Sequence, residues 1–153
     1  MDYIDIFIKN DYIDLKQIAE SGQCFRWKKI CPGRYFVISD GRTACFFQEK
    51  TGIRILCHEK DEEYFRRYLD LDTDYGKIIE QIDPEDRFLS GAAKMGKGIR
   101  ILRQDLWEMI VSFIISQRNN IPRIMKSIDA LCEKLGEKIV FEYEEEHLIG
   151  YSF

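Results

Sequence analysis

Two short stretches of this 153-residue chain carry groups that could do chemistry on a partner. The first is Ser21-Gly22-Gln23-Cys24-Phe25-Arg26-Trp27, where a glycine stands between a short helical pattern and a strand-like run. Glycine at such a junction marks a backbone angle, or a close approach to the main chain, that a Cβ would forbid. Spacing alone reads it as a strand-opening turn. The second is Ser116-Gln117-Arg118-Asn119-Asn120, five polar residues between two apolar helical patterns. A short polar turn pinned by a helix at each end can push its side chains into a partner at a fixed angle. Around it stand seven basic residues, Lys94, Lys97, Arg100, Arg103, Arg118, Arg123 and Lys126, against two acids, Asp105 and Glu108, a local excess of five positive charges. The whole chain has a formal net charge of −4, with its acid concentrated in Asp61 to Asp86 and Glu142 to Glu146. Screening limits the reach of those distant charges to about 10 Å at moderate salt, so a local basic surface stays compatible with phosphate contacts.

Other chemistries find little support. His58 and His147 are isolated and read as packing residues, and Glu144 with Glu145 reads as a solvated run. The five cysteines (Cys24, Cys31, Cys45, Cys57, Cys132) are odd in number, widely spaced and without a C-x-x-C pair. They read as reduced and structural, and neither a metal site nor a cofactor is expected. No apolar run has transmembrane length, and Asp2 and Asp5 stand where a signal peptide would want Lys or Arg. The expectation is a soluble protein of the cytoplasm or nucleoid with no membrane partner.

The elements that must position the two stretches follow from periodicity and turn chemistry. Tyr3 to Ile8 reads as a strand, and Asp14 caps a short helix over Leu15 to Glu20. Cys24 to Ile30, Tyr35 to Ser39, Thr43 to Gln48 and Ile53 to Cys57 read as strands separated by short turn signals, hence as an antiparallel meander. After His58 the period becomes helical: Glu63 to Leu71, Tyr75 to Ile82, and a helix opened by Pro84 that carries Phe88 and Leu89. Asp105 and Glu108 have capping-box spacing and start a helix at about Leu106. Leu106, Trp107, Met109, Ile110, Val111, Phe113, Ile114 and Ile115 leave this helix almost no polar face, which predicts a core helix. Asn119 or Asn120 caps the next helix, with Pro122 in its first turn, Ile121, Ile124, Ile128, Leu131 and Leu135 buried, and Gly136 at C′. The expected class is α+β: an antiparallel sheet with helices on one face over residues 1–100, then a helical unit over 101–153, the boundary falling between 95 and 104. Val140 to Phe153 shows no cap or stop, so the sequence looks cut within that second unit; self-association through uncovered helices is the alternative.

Taken together, the two stretches resemble the 8-oxoguanine DNA glycosylase family of helix-hairpin-helix glycosylases. SGQCFRW looks like its N-terminal signature, and the run from Gly98 to Ile124 looks like its first long helix and the asparagine-rich turn after it. The resemblance covers the whole chain but only about the first half of such an enzyme. It implies a TBP-like N-terminal domain followed by the first helices of a helix-hairpin-helix domain, and an activity that flips and excises oxidised guanine from duplex DNA and cleaves the abasic site. It also implies double-stranded DNA containing 8-oxoguanine as the partner, and a monomer at full length.

The site residues carry over one by one. The resemblance assigns lesion recognition to the backbone carbonyl of Gly22: 8-oxoguanine presents N7–H, a donor, where guanine N7 is an acceptor. Leaving a buried polar pair unmatched costs roughly 1 to 3 kcal/mol, which gives the discrimination. It places Arg118 at the gap-filling position, with Asn119 and Asn120 beside it and Arg123 where the orphaned cytosine is read. Arg118 stands where the family has asparagine, so Gln117 and Arg118 are alternatives for filling the gap. Leu106 replaces a common proline. The family's lysine nucleophile and its aspartate, carried on a later hairpin, have no counterpart here, and Lys126, Lys134 and Lys138 match nothing catalytic. No catalytic residue is therefore expected within the chain. An alkylated-base glycosylase and a non-catalytic DNA-binding or interaction module are the competing readings.

Overall fold

The computed structural model describes residues 2–144 and 146–153; Met1, Glu145 and the side chain of Glu146 lie outside the description. The acidic run is thus described at Glu142 and Glu144, both outside the core.

Five strands form one antiparallel sheet: β1 (Tyr3–Lys9), β2 (Trp27–Cys31), β3 (Arg34–Ser39), β4 (Arg42–Glu49) and β5 (Gly52–His58). Their order is β1-β5-β4-β3-β2, so the meander from β2 to β5 closes with the N-terminal strand on its far edge. Successive side chains alternate between faces. Tyr35, Val37, Ala44, Phe46, Ile53 and Ile55 point toward helices α1 (Leu15–Glu20) and α2 (Glu62–Tyr68), where Leu15, Ile18, Phe65 and Tyr68 complete the main core. Phe36, Ile38, Cys45 and Leu56 line the other face and build a second, smaller core. A strand buried on both faces reads as a continuous apolar run, which is how β3 is written.

What covers the second face is a feature the sequence reading missed. The chain returns as a hairpin, β6 (Lys138–Tyr143) and β7 (Glu146–Tyr151), whose fully buried Phe141 packs on Phe36 with ring centroids 5.8 Å apart. Gly150 permits the approach, since a Cβ there would lie 2.1 Å from Ile38 Cδ1. The segment after residue 100 is therefore not helical throughout, and its end lies on the sheet.

Two short helices, α3 (Tyr75–Glu80) and α4 (Arg87–Met95), lead through a turn at residues 96–98 to the approach over residues 99–104. The approach feeds α5 (Leu106–Ser116), a polar turn, and α6 (Ile121–Leu135). Asp105 caps α5 as expected, accepting from Glu108 N at 2.9 Å. The reciprocal half of the capping box is absent, because the Glu108 carboxylate turns to Asp40 N (2.9 Å) and to Arg26 (3.5 Å). The expectation of a core helix also fails within this chain. Glu108 is the buried residue of α5, whereas Leu106, Trp107, Phe113 and Ile114 are each 62 to 70% exposed. A helix with no polar face needs neighbours on every side, and among the described residues α5 has them on one. In α6, Ile124, Ile128 and Cys132 are buried and Leu131 partly so, but Ile121 and Leu135 at its ends are exposed. Gly136 closes α6 in extended rather than left-handed conformation, its role being close approach: a Cβ would lie 2.2 Å from Ser152 O. The strand expected from Cys24 begins only at Trp27, because Cys24 to Arg26 belong to a loop with other obligations.

Candidate nucleic-acid interface

The loop from Ser21 to Arg26 leaves α1 through Ser21, whose hydroxyl donates to Ile18 O at 2.7 Å. Gly22 then takes φ +80°, a left-handed angle that side chains resist, and a Cβ built on it meets nothing within 4 Å. The backbone at Gly22 is thus exposed and unobstructed. Its neighbour is the opposite. Gln23 Oε1 accepts from Leu102 N (2.9 Å), its Nε2 donates to Arg100 O (2.8 Å), and its own carbonyl accepts from Gln104 Nε2 (2.6 Å). Cys24 is buried, and burial pushes its thiol up to about 12, so it stays protonated at neutral pH and is no nucleophile. Phe25 packs on Ile124, Ile128 and Cys132 of α6, in the cluster that also takes Ile115. Arg26 donates to Tyr151 O of β7, pairs with Glu108 of α5 and lies 5.5 Å from the Phe153 ring. One loop therefore touches the approach, both long helices and the returning hairpin.

The approach is pinned along its length. Asp14 N donates to Gly98 O (2.9 Å), Ile101 N to Tyr75 Oη (2.9 Å), and Arg103 N to Tyr68 O (2.9 Å). Arg100 is fully buried and donates to Leu69 O (2.8 Å), Thr73 O (2.9 Å), Tyr12 O (3.2 Å) and Asp70 O. It is a structural cation, not one of the surface charges the sequence count credited to phosphate contact. Arg103 reaches Asp70 at 2.7 Å. Burial alone would raise the Asp70 carboxyl, but hydrogen bonds from Arg103, Thr73 and Tyr75 hold it below the usual carboxylate value.

At the polar turn most side chains serve the backbone. Gln117 Nε2 donates to Phe113 O (3.2 Å), Asn119 Nδ2 to Ile115 O (3.2 Å), and Asn120 Oδ1 caps α6 by accepting from Arg123 N (3.1 Å). Arg118 differs. It is exposed, takes φ +50°, and makes no ion pair or hydrogen bond with its side chain among the described residues. Arg123 is likewise exposed. No three His, Cys, Asp or Glu side chains gather as a metal site among the described residues. No described helix is long and apolar enough to cross a membrane.

A family model described as the 8-oxoguanine DNA glycosylase N-terminal domain matches residues 5–110. The chain belongs to the 8-oxoguanine DNA glycosylase family. Among similar curated proteins are an N-glycosylase/DNA lyase of Saccharomyces cerevisiae, 27% identical over 86% of this chain and 39% of its own length, and N-glycosylase/DNA lyase OGG1 of Arabidopsis thaliana, 26% identical over 82% of this chain and 37% of its own. Similar solved structures match over the whole of this chain. They include MBOgg1 with a low-affinity DNA ligand (37% identity, TM-score 0.84, 54% of that chain) and the apo 8-oxoguanine glycosylase/lyase of Clostridium acetobutylicum (35%, 0.84, 52%). The clostridial enzyme with double-stranded DNA carrying cytosine opposite 8-oxoG matches at 34% identity and TM-score 0.82, over 55% of that chain. The chain thus spans about half the length of these solved structures and under two fifths of these curated relatives.

Glu108, which the sequence reading treated only as a cap, is the bond between α5 and the sheet. Burial raises its carboxyl above the ordinary value of 4.5, against the pull of Arg26 and the Asp40 N–H; Asp105 and Asp40 push the same way as burial. A raised acid contributes stability that is complete below its unfolded value and is lost as pH rises through its native one. In Glu108→Gln that loss is absent. Relative to wild type, the variant should gain stability as pH rises from the ordinary glutamate value of 4.5 toward neutrality, the direction that the raised native value dictates. Urea denaturation of both proteins across that range checks it, and parallel curves would show that the carboxyl is not desolvated.

Proposed function

We propose that this chain supplies the lesion-reading and gap-filling parts of an 8-oxoguanine DNA glycosylase/AP lyase acting in base excision repair, with duplex DNA containing 8-oxoguanine as its partner. What supports the reading is the meeting of the two stretches: Phe25, three residues after Gly22, packs in the same cluster as Ile115 and Ile124, which flank the polar turn. In this reading the Gly22 carbonyl accepts from N7–H of the expelled base. Arg118 occupies the vacated place in the stack, and Arg123 reads the orphaned cytosine. Of the two candidates for filling the gap, the hydrogen bonding favours Arg118, since Gln117 is tied to Phe113 O. Asn119 and Asn120 shape the turn rather than enter the duplex. Expelling a base costs a few kcal/mol of stacking, which a filled gap offsets in part.

Binding to labelled duplexes tests this. The protein should bind an 8-oxoguanine:cytosine duplex about tenfold or more tightly than the guanine:cytosine control, the factor that about 1.4 kcal/mol of discrimination gives. Equal affinities would overturn the reading. Base excision proper needs a nucleophile, and none of the lysines here matches one. The 153-residue chain alone should give no borohydride-trapped adduct with lesion duplex; a trapped adduct would place a Schiff-base lysine among its own residues.

A further inference from the structure

The Gly22 carbonyl can discriminate only if its direction is fixed, and Gly22 does not fix it. The residue has no side chain, nothing lies within 4 Å of its Cβ position, and its backbone is exposed. A glycine so placed turns about φ and ψ with little resistance. Its peptide is held from the ends. On one side Ser21 is anchored by its hydroxyl to Ile18 O. On the other stands Gln23, whose N–H belongs to the same peptide group as the Gly22 carbonyl. The Gln23 side-chain amide pairs with the main chain at Arg100 and Leu102 as a neighbouring strand would, accepting at 2.9 Å and donating at 2.8 Å. It shares its second donor with Ser21 Oγ at 3.0 Å, and Gln104 Nε2 closes the arrangement on the Gln23 carbonyl at 2.6 Å. The segment it grips runs directly into Asp105, the cap of the helix whose far end is the gap-filling turn.

We infer that Gln23 is the positioning residue of the lesion test: it holds the Gly22 carbonyl in register with the approach to α5, and so sets how strongly the oxidised base is preferred over guanine. This rests on the assignment of lesion reading to Gly22. Gln23 touches no base itself. Its side chain and carbonyl are spent on Ser21, Arg100, Leu102 and Gln104, so its influence passes through the peptide it shares with Gly22. Placement errors near 1 Å in a recognition group are enough to cost large factors in rate or binding.

The test compares affinities for 8-oxoguanine:cytosine and guanine:cytosine duplexes in the intact protein and in two variants. Gln23→Met keeps the length of the side chain and removes its hydrogen bonds to Ser21, Arg100 and Leu102. Gln104→Ala removes only the donor to the Gln23 carbonyl, from a side chain outside the core, and remains informative if Gln23→Met fails to fold. The preference for the lesion duplex should fall about tenfold in Q23M and about threefold in Q104A, with affinity for undamaged duplex changed less than twofold. Equal loss on both duplexes would mean that Gln23 supports the fold alone, and an unchanged preference would likewise overturn the inference. A wild-type protein without lesion preference would remove the Gly22 assignment together with this one, whereas a wild-type preference that survives both substitutions would remove this one only.

Discussion

Replacing Arg100 by Met should cost about 3 to 5 kcal/mol of stability, because it strands a set of buried carbonyls whose desolvation no other donor offsets. The guanidinium is fully buried, donates to Tyr12, Leu69, Asp70 and Thr73 carbonyls, and lies 4.2 Å from the Tyr75 ring. Burial pulls its pKa below the ordinary arginine value, with Tyr75, Asp70 and Asp74 opposing, and an arginine so lowered still carries its charge at neutral pH. The cation therefore binds residues 69–73, the α1 approach and its own segment at once. In a chain of this length the loss corresponds to a fall in melting temperature of about 10 °C. Arg100→Lys should fall between wild type and R100M, since an ammonium offers three donors without the planar fork. Thermal and urea denaturation check both. A cost under about 1 kcal/mol for R100M would mean that those carbonyls find water when the guanidinium is gone.

Arg100 also shows where sequence reading stops. Its charge is legible, but whether a basic residue faces solvent or is wrapped in carbonyls depends on chain segments about thirty and ninety residues away, which periodicity does not see. The helix caps were legible because they are local: Asp14, Asp105 and Asn120 each accept from the N–H three residues on, as their types and spacing indicate. The meander was legible for the same reason, its turns being written in Asp40-Gly41 and in Gly52. The hairpin of β6 and β7 was written too, in Ile139, Phe141 and Tyr143 alternating with Lys138, Val140 and Glu142, yet the glutamates around its turn drew attention to a solvated run. At the candidate interface, residue types pointed to Gly22 and the polar turn. What lay hidden was the division of labour: Gln23 and Glu108 work across 68 to 82 residues of sequence, and three of the turn's amides are occupied by capping.

That division makes Arg118 the residue whose loss should most reduce lesion recognition. It is the one side chain of Gln117 to Asn120 not tied to the backbone, and it is held at φ +50°. A left-handed angle on a residue with a Cβ costs about 1 to 2 kcal/mol, and such strain gathers where geometry serves a function. In the intact protein, Arg118→Ala should weaken binding to an 8-oxoguanine:cytosine duplex about tenfold or more, whereas Lys134→Ala, removing an exposed charge near the other end of α6, should change it less than twofold. Arg118→Gly separates strain from contact. It should hold or raise thermal stability by relieving the backbone angle, while losing lesion binding as the alanine variant does. Salt dependence then decides what the arginine does. A phosphate contact would be lost equally on damaged and undamaged duplex and would lower the salt slope by about one in both. A side chain that enters the stack is engaged only when a base has left it. Its removal should therefore act on the lesion duplex and leave the undamaged slope unchanged, and a uniform loss on both duplexes would reduce Arg118 to one more surface cation.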